Sequence, residues 1–290
     1  MSIAMNSICL ECHFQRNLKM ARTLGTEEQT LAFAKELMKL YISAPENVSS
    51  PWFTPHTADI FDRIYDHPDL YGEAKRFSNA FVLERLDQIR EKVRSAPDPV
   101  FAGLQFAILG NYIDFAALQG NVSFEKLEEM LNSALEMELD RDCYAQFCRE
   151  LSEGTNLLYL TDNAGEIGFD RIFAEELIKQ YPHLNITFCV RGGEVLNDAT
   201  REDAAVVGIP FPVIDNGNRV SGTQIDMLGD EAREALENAH VILAKGMANT
   251  ETMLGCGYNV YFAFLVKCPR IGDHFGAELF TPLLVRERAQ

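Results

Sequence analysis

The hydrophobic pattern of the chain changes abruptly near residue 153, and this change limits the folds that the chain can adopt. Between residues 26 and 152, apolar side chains recur at helical spacing, and no segment requires a strand. After Gly154, short apolar runs alternate with amphipathic helical segments, which favours a mainly parallel sheet covered on both faces. We therefore predict an all-helical N-terminal domain (residues 1–152) and a three-layer, Rossmann-like α/β domain (residues 153–290).

Five segments are predicted as strands from their length and apolar character. They are residues 157–161, 186–190, 211–214, 241–244 and 260–266. Helices are predicted between them, for example at 167–180 and 231–239. In the N-terminal part, the nearly continuous apolar stretch at 100–118 predicts a buried helix, and Thr26 is the expected cap of the first helix.

Composition excludes several classes of protein. Lys and Arg number 26 against 43 Asp and Glu, a formal net charge of -17, so we expect neither nucleic-acid nor membrane partners, which require basic surfaces. The chain is 47% hydrophobic and 10% aromatic, which supports a large core rather than disorder. No apolar run approaches the roughly 20 residues of a membrane-spanning helix, and the N-terminus does not resemble a signal peptide. We expect a cytoplasmic protein; its oligomeric state is left open.

Polar residues cluster immediately after the predicted strands. The clusters are Asp162, Asn163 and Glu166 after the first strand, Arg191, Gly192 and Asp198 after the second, Lys245 and Asn249 after the strand at 241–244, and Lys267 after the last. Each cluster alone has a structural explanation, such as a helix cap, a turn or a solvated lysine. Because parallel sheets bind ligands at the edge formed by their strands' carboxyl ends, the convergence of these clusters favours a binding site.

The residue types indicate phosphate chemistry with a metal. Asp162, Asn163 and Asp198 supply the hard oxygen ligands that Mg²⁺ and Mn²⁺ prefer. A metal in such a site lowers the pKa of bound water, and Glu166 is the predicted residue that orients or deprotonates that water. We therefore predict that Asp162, Glu166 and Lys245 belong to a catalytic centre.

The other residues of the clusters suit a phosphate group. Lys245 and Arg191 offset phosphate charge, and Gly192 allows a backbone N–H to approach a phosphate oxygen. Asn249 and Lys267 share the same predicted edge and are further candidates for substrate contacts. The sequences typical of P-loop proteins, dinucleotide-binding enzymes and aspartyl-phosphate phosphatases are absent, which excludes these classes.

The longer motifs around these residues are similar to those of one family. They are residues 161–167, 191–193 with 197–200, 245–249, 110–114, and Cys9-x-x-Cys12. In this order they resemble the metal-dependent damage-control phosphatases, long described as domain of unknown function 89, and specifically the prokaryotic branch. The resemblance covers nearly the whole chain.

The resemblance implies a helical part on an α/β sheet that carries a divalent metal, Mn²⁺ or Mg²⁺, with Ni²⁺ and Co²⁺ as alternatives. It places Asp162, Asn163 and Asp198 at the metal-ligand positions and Lys245 at the phosphate-binding lysine, with Glu166 and Arg191 lining the site. The implied activity is hydrolysis of phosphomonoesters of small metabolites, such as sugar phosphates or damaged phosphopantetheine-like compounds. Glu194 follows Gly193 where a small or apolar residue is expected, which leaves the detailed substrate preference open.

Two further pairs of residues have alternative interpretations. Asn111 and Asp114 lie three residues apart on a predicted apolar helix, where they either satisfy loop backbone or contact the substrate. The resemblance, which places this motif near the cleft, favours the substrate contact. Cys9 and Cys12 provide either half of a zinc site or a reduced, unliganded pair.

Two other functions use similar residues. A sensor or carrier could bind a phosphorylated ligand without hydrolysing it, because binding and catalysis require the same groups. A carboxyl methyltransferase also uses an α/β sheet, but it needs a Gly-rich loop after the first strand and an acidic residue after the second. Here Gly165 stands alone and Arg191 replaces the acid, so the methyltransferase is the third alternative.

Overall fold

The computed structural model describes residues 3–119 and 124–287, with only the backbone described at 113–119, 124–127 and 130. Up to Glu153 the described chain is mostly helical, as predicted from its hydrophobic pattern. The helices of this part are α1 (Ser7–Leu24), α2 (Glu27–Ser43), α3 (Phe53–Tyr65), α4 (Gly72–Leu83), α5 (Leu86–Arg94), α6 (Pro99–Gln119), α7 (Phe124–Ser133) and α8 (Arg141–Glu153).

Local sequence explains where several of these helices begin and end. Thr26 caps α2 as predicted: its hydroxyl accepts the Gln29 N–H, and the Gln29 side chain accepts the Thr26 N–H at 3.0 Å. Apolar residues recur at helical spacing between residues 77 and 93, and this pattern predicts one helix. The structure has two helices here, α4 and α5, with Glu84 and Arg85 between them. Both keep their apolar faces in one core, which explains why the periodicity alone suggests a single helix.

Helix α1 was not predicted, because its buried face is largely polar. The residues that it buries are His13, Asn17 and Ala21, whereas Ile8 and Leu10 are exposed. Such a face produces only a weak hydrophobic period.

Six strands form one sheet in the described part of the chain, in the order β3-β2-β1-β4-β5-β6. They are β1 (Asn156–Leu160), β2 (Asn185–Val190), β3 (Val213–Asp215), β4 (Val241–Lys245), β5 (Val260–Leu265) and β6 (Pro282–Glu287). Strands β1 to β5 pair in parallel, and β6 pairs antiparallel with β5 at the edge. The predicted Rossmann-like sheet is confirmed, whereas β6 was not predicted because this edge strand is only partly buried.

Helices cover both faces of the sheet, which gives three layers. Those of the C-terminal part are α9 (Glu166–Gln180), α10 (Arg201–Val206), α11 (Asp230–Glu237), α12 (Gly246–Met253) and α13 (Pro269–Phe275). Alternate residues of β1 enter different cores: Tyr159 packs on one face and Leu160 on the other. Leu104 of α6 and Phe147 of α8 share the first core with Tyr159, so the helical part is packed directly on the sheet.

Helix α6 is the apolar helix predicted at 100–118, and it packs against α9. Its segment from Val100 to Leu109 is buried in the two cores that adjoin α9. No helix in the described ranges combines the length and the apolar character needed to cross a bilayer.

The strand order reverses between β1 and β4, because the chain proceeds from β1 to β2 on one side and from β4 to β5 on the other. In open parallel sheets, this reversal leaves a crevice beyond the carboxyl ends of the two strands. The loop that begins at Thr161 and the start of α12 at Gly246 therefore border the expected ligand site.

Candidate functional site

Two loops at the sheet edge are joined by backbone hydrogen bonds, which bring together the three predicted metal ligands. Asn163, after β1, forms an antiparallel bridge with Asp198, after β2. The Ala199 N–H donates to the Asp162 carbonyl at 2.8 Å, and the Ala164 N–H donates to the Asn197 carbonyl at 2.9 Å. As a result, Asp162, Asn163 and Asp198 line one cleft although Asn163 and Asp198 are 35 positions apart in the sequence.

Two amide side chains orient the carboxylates of this cleft. The Asn163 side-chain NH₂ donates to Asp162 Oδ2 at 2.8 Å and to Glu166 Oε2 at 2.9 Å. The Asn111 NH₂ donates to the same two oxygens at 2.7 and 2.9 Å. Asn111 Oδ1 is buried and has no hydrogen-bond partner among the described residues. This leaves a lone amide oxygen beside the Asp162 carboxylate, in a position suited to an incoming cation or donor.

The Asp198 carboxylate is held by Arg191 and Ser221. Arg191 Nε donates to Asp198 Oδ2 at 2.6 Å, and Ser221 Oγ donates to Oδ1 at 3.1 Å. Arg191 is 1% exposed and also donates to the Thr161 carbonyl at 3.2 Å. Arg191 therefore fixes the position of Asp198 from beneath the cleft and does not line the cleft itself.

Lys245 occupies a buried ionic cluster under the cleft. Its Nζ donates to Glu166 Oε1 at 2.5 Å, to Asp170 Oδ1 at 2.9 Å and to the Ala107 carbonyl at 2.8 Å. Burial alone would lower the pKa of Lys245, but the Asp170 and Glu166 carboxylates raise it above its ordinary value. Lys245 is therefore a charged group whose donors are engaged by the protein.

This position of Lys245 and Glu166 differs from what we expect from the sequence. We expect a lysine in contact with phosphate and a glutamate in contact with water, yet both side chains are fully buried and neither lines the cleft. The reason is the register of α9, which begins at Glu166 and turns this carboxylate toward Lys245 at the end of β4.

The buried cluster has more negative than positive groups. The carboxylates of Asp162, Glu166, Asp170 and Asp198 are paired directly with two fully buried cations, Arg191 and Lys245. The four acids outnumber these two cations, and a bound cation would offset part of the excess. The set of residues at this edge is therefore compatible with a bound metal.

The pKa of Asp162 reflects this excess of negative charge. Burial, followed by the charges of Glu166 and Asp198, raises the pKa of Asp162 to about 7. Lys267 and Arg191 act in the opposite direction. Burial also raises the pKa of Asp198, against the charge of Arg191.

Gly246 is required where the end of β4 approaches Asp162. Its φ is +79°, a left-handed conformation that residues with side chains rarely adopt, and a Cβ at this position would overlap the Asp162 carboxylate. The glycine therefore permits the backbone at the start of α12 to lie against the carboxylate.

The cleft has a volume of about 530 Å³, and Lys267 lies in its wall. The substrate contact of Lys267 stays a prediction. Helix α1 contributes Arg16 and Lys19 to the same walls, and α12 contributes Glu251. These residues were not predicted from the sequence. The spacing of Arg16, Lys19 and Thr23 on one face of a helix was the available signal, but it has no meaning until α1 is known to lie over the sheet edge.

Of the other predicted substrate residues, two lie outside the cleft, and the side chain of the third is not among those that the structure describes. The Gly192 N–H is bonded to the Asn218 carbonyl and to Asn216 Oδ1, and Gly192 lies outside the cleft, where its missing side chain allows two loops to approach. Asn249 is fully buried and donates to the Thr161 carbonyl at 3.0 Å, so it supports the loop after β1. The Asp114 side chain lies outside the described residues.

In the described ranges, no group of three or more His, Cys, Asp or Glu side chains is arranged to hold a metal ion. The predicted ligand set has two carboxylates and one amide, so it depends on Asn163. For the Cys9 and Cys12 pair, Cys9 Sγ accepts a hydrogen bond from Arg270 at 3.0 Å, and Cys12 is exposed. The zinc and the unliganded interpretations of this pair remain predictions.

A Rossmann-like sheet with an oxygen-rich polar cluster at its switch point defines the class of α/β proteins in which ligand sites usually lie at that edge. The chain belongs to the family of the damage-control phosphatase ARMT1-like domain, whose family model matches residues 5–281. This confirms the resemblance seen in the sequence motifs. The assignment to the prokaryotic branch, based on Cys9 and Cys12, stays a prediction.

Curated relatives agree with this family. A damage-control phosphatase of Archaeoglobus fulgidus is 31% identical over 95% of this chain and 96% of the relative. A second, of Pyrococcus horikoshii, is 34% identical over 73% of this chain and 74% of the relative. An uncharacterised protein of Methanocaldococcus jannaschii is 28% identical over 98% of this chain and 96% of its own length. These homologues support a phosphatase role for the chain.

The fold has a counterpart among solved structures. The crystal structure of a DUF89 family protein from Pyrococcus horikoshii aligns with a TM-score of 0.83 and 26% identity. The alignment covers 98% of this chain and 99% of that one, so the helical part and the sheet part are shared together.

Proposed function

We propose that this protein is a metal-dependent phosphatase that hydrolyses phosphomonoesters of small metabolites, with sugar phosphates or damaged phosphopantetheine-like compounds as the substrate class. The observation that carries the proposal is the convergence of Asp162, Asn163 and Asp198 on one cleft in a chain of the damage-control phosphatase family.

Asp162, Asn163 and Asp198 are the residues that would hold the metal. The Asn163 NH₂ is engaged by carboxylates, which leaves its carbonyl oxygen as the coordinating atom. Asn111 Oδ1 is a further neutral oxygen at this place. These hard oxygen donors suit Mn²⁺ or Mg²⁺, with Ni²⁺ and Co²⁺ as alternatives. When bound, the metal supplies Lewis-acid polarisation of a phosphoryl oxygen and a lowered pKa of water.

The basic side chains of the cleft attract the phosphate. Lys19 and Lys267 both line it, close to the carboxylates that would hold the cation. They would oppose the charge of a phosphate dianion and stabilise the charge that develops in the transition state. The overall charge of -17 repels anions, so this local arrangement would have to provide the attraction.

Glu166 and Lys245 act in this proposal as positioning residues. Lys245 holds Glu166 at 2.5 Å, and Glu166 in turn accepts hydrogen bonds from Asn111 and Asn163. This chain of contacts fixes both amides relative to Asp162. Fixing ligand groups before the substrate arrives reduces the reorganisation needed during the reaction.

The test uses purified chain stripped of metal, with an aryl phosphate as substrate and Mn²⁺, Mg²⁺, Ni²⁺ or Co²⁺ added in turn. Asp162→Asn retains the shape of the side chain and removes its charge, and we expect it to lower kcat/KM by at least about a hundredfold, since it removes a metal ligand. Asp226→Asn, which changes an exposed carboxylate of the same half, is the matched control. Full activity in Asp162→Asn, or in the metal-free wild type, contradicts the proposal.

A sensor that binds a phosphorylated ligand without turnover uses the same residues, so the assay must separate binding from hydrolysis. Sugar phosphates are incubated with the metal-loaded protein, and free phosphate is measured alongside the heat of binding. Binding with no release of phosphate from any member of the panel would favour the sensor.

A further inference from the structure

A second cavity of about 380 Å³ lies beside the cleft. The two share Arg16, Thr54, Tyr71 and Leu196 in their walls, so the second cavity, here called the side cavity, adjoins the cleft. Together their volumes fall in the range of pockets that hold drug-sized ligands, which is more than a simple phosphate group requires.

The side cavity contains a buried histidine with an unused ring nitrogen. His13 of α1 lines it and is 3% exposed. Tyr41 Oη lies 2.7 Å from His13 Nδ1, and Asn17 Nδ2 lies 3.2 Å from the same atom. His13 Nε2 has no hydrogen-bond partner within the described part of the chain. An unpaired buried polar atom is costly, which indicates that something else pairs with it in the working protein.

The neighbours of His13 determine which nitrogen carries the proton. The Asn17 NH₂ can only donate, and the Tyr41 hydroxyl can donate, so the tautomer that pairs with both neighbours has His13 Nδ1 as the acceptor. Burial, together with the positive charge of Arg16, lowers the pKa of His13 to about 3, so the ring is neutral at ordinary pH. A neutral ring with an accepting Nδ1 has its hydrogen on Nε2. The unused group is therefore an N–H donor, and its missing partner is an acceptor.

The remaining walls of the side cavity favour a neutral partner. Phe61, Leu70 and Leu196 make part of the surface apolar. Asp62 and Glu194 also line it, and these carboxylates are already paired with Arg219 at 2.8 Å and Lys75 at 2.7 Å. The one further arginine of these walls, Arg16, is shared with the cleft and so lies on the side where the phosphate would bind. Beside the carboxylates a second anionic group is disfavoured, whereas a carbonyl oxygen on an otherwise apolar chain suits both the walls and the N–H donor.

We propose that the side cavity binds the alcohol portion of the phosphomonoester substrate and that His13 Nε2–H donates a hydrogen bond to a neutral carbonyl oxygen of that portion. This rests on the proposed phosphatase function, and it assigns His13 as a residue that determines substrate specificity. The preferred substrate then has an alcohol long enough to extend from the cleft past Leu196, with a carbonyl group at a defined distance from the phosphate.

The experiment compares two series of linear alkyl phosphates of matched length. One series has an amide carbonyl at a stepwise varied position, and the other has methylene groups there. For the wild type we expect kcat/KM to favour the carbonyl compound by about tenfold or more at one position, since a hydrogen bond to a buried donor is at stake.

Two variants then test whether His13 supplies the donor. The amide nitrogen of glutamine reaches the place of the Nε2 atom, whereas that of asparagine reaches only the place of Nδ1. His13→Asn should reduce the preference for the carbonyl series to near unity, and His13→Gln should retain most of it. Near-ultraviolet circular dichroism checks that both variants are folded.

The outcomes separate this inference from the proposed function. If neither series is hydrolysed with metal present, the phosphatase proposal fails and the inference fails with it. If both series are hydrolysed but the wild type shows no preference at any position, only the inference is overturned. Equal loss of preference in both His13 variants also overturns it, because the effect then reflects packing. If His13→Asn does not fold, the position scan on the wild type decides.

Discussion

The helical part and the sheet part of this protein contribute different groups to the same site. The sheet part provides the carboxylates of Asp162 and Asp198 at the cleft and Lys245 below it. The helical part provides basic side chains of the cleft walls, such as Lys19, and amides that hold the carboxylates in place, of which Asn111 is one.

Asn79 of α4 is the second example, and it connects the loop after β1 to helix α10. Its NH₂ donates to Asp203 at 2.8 Å, after β2, and its carbonyl accepts the Gly165 N–H at 2.7 Å, after β1. A parallel sheet can therefore collect charged side chains at one edge, while part of the hydrogen bonding of these side chains and their loops comes from the helical layer. Four predictions test this division of roles.

The largest expected effect concerns the charged cluster of the sheet part. Lys245→Met leaves Glu166 and Asp170 buried without their counter-ion, so we expect the free energy of unfolding to fall by about 3–5 kcal/mol. Denaturant unfolding measures this. Lys267→Met changes a partly exposed lysine of the cleft and should cost less than about 1 kcal/mol. Equal losses in the two variants would show that the buried cluster is not a stabilising element.

The second prediction concerns Asn111 of the helical part. Asn111→Leu removes two hydrogen bonds from the Asp162 and Glu166 carboxylates, so we expect kcat/KM for an aryl phosphate to fall about 10–100-fold. Gln105→Leu, on the same helix, removes bonds to the Leu135 and Met137 carbonyls instead. It should lower stability while the folded variant keeps nearly normal activity. Similar activity losses in both would mean that α6 acts only through stability.

The third prediction concerns Asn79, which connects the loop after β1 to helix α10. Asn79→Ala leaves the Gly165 N–H and one Asp203 oxygen without their partner, so we expect unfolding to become easier by about 1–3 kcal/mol. Asn132→Ala, in an exposed position of the helical part, is the control and should have almost no effect. A loss below about 0.5 kcal/mol for Asn79→Ala would show that water replaces the missing amide.

The fourth prediction concerns the pH dependence of stability in the metal-free protein. Burial, Glu166 and Asp198 raise the pKa of Asp162 to about 7, above its unfolded value of about 3.9. The stability associated with protonated Asp162 is therefore fully present below pH of about 3.9 and is lost as the pH rises through about 7. We expect the thermal midpoint to fall over this interval, and Mn²⁺ to restore it more strongly at the upper end, because the cation competes with the proton.

Asp162→Asn is the control for this pH dependence. It should flatten the decline, although not completely, because burial also raises the pKa of Asp170 to about 6 and acts in the same direction. An unchanged slope in Asp162→Asn would show that other groups dominate the titration.

The hydrophobic pattern of the sequence predicts the alternation of strands and helices that builds the sheet. It also locates the polar residues at the ends of the strands. A strand buried on both faces must be continuously apolar, so β1, β2, β4 and β5 are visible as short runs, and the residues that follow them lie at one edge. For the same reason the sequence predicts that Asp162, Asn163 and Asp198 lie together at one edge of the sheet. The half-exposed β6 and the polar face of α1 produce no such period, and they were not predicted.

Packing between elements determines which of these polar residues reach the cleft. Glu166 lies beyond β1 and Lys245 ends β4, yet the register of α9 turns the two side chains toward each other beneath the cleft floor. Arg16, Lys19 and His13 lie far away in sequence and enter the site only because α1 packs over the sheet edge. Spacing along the chain predicts which residues share one face of a helix or strand. Contacts between elements depend on which faces pack together, and a local sequence pattern does not specify this.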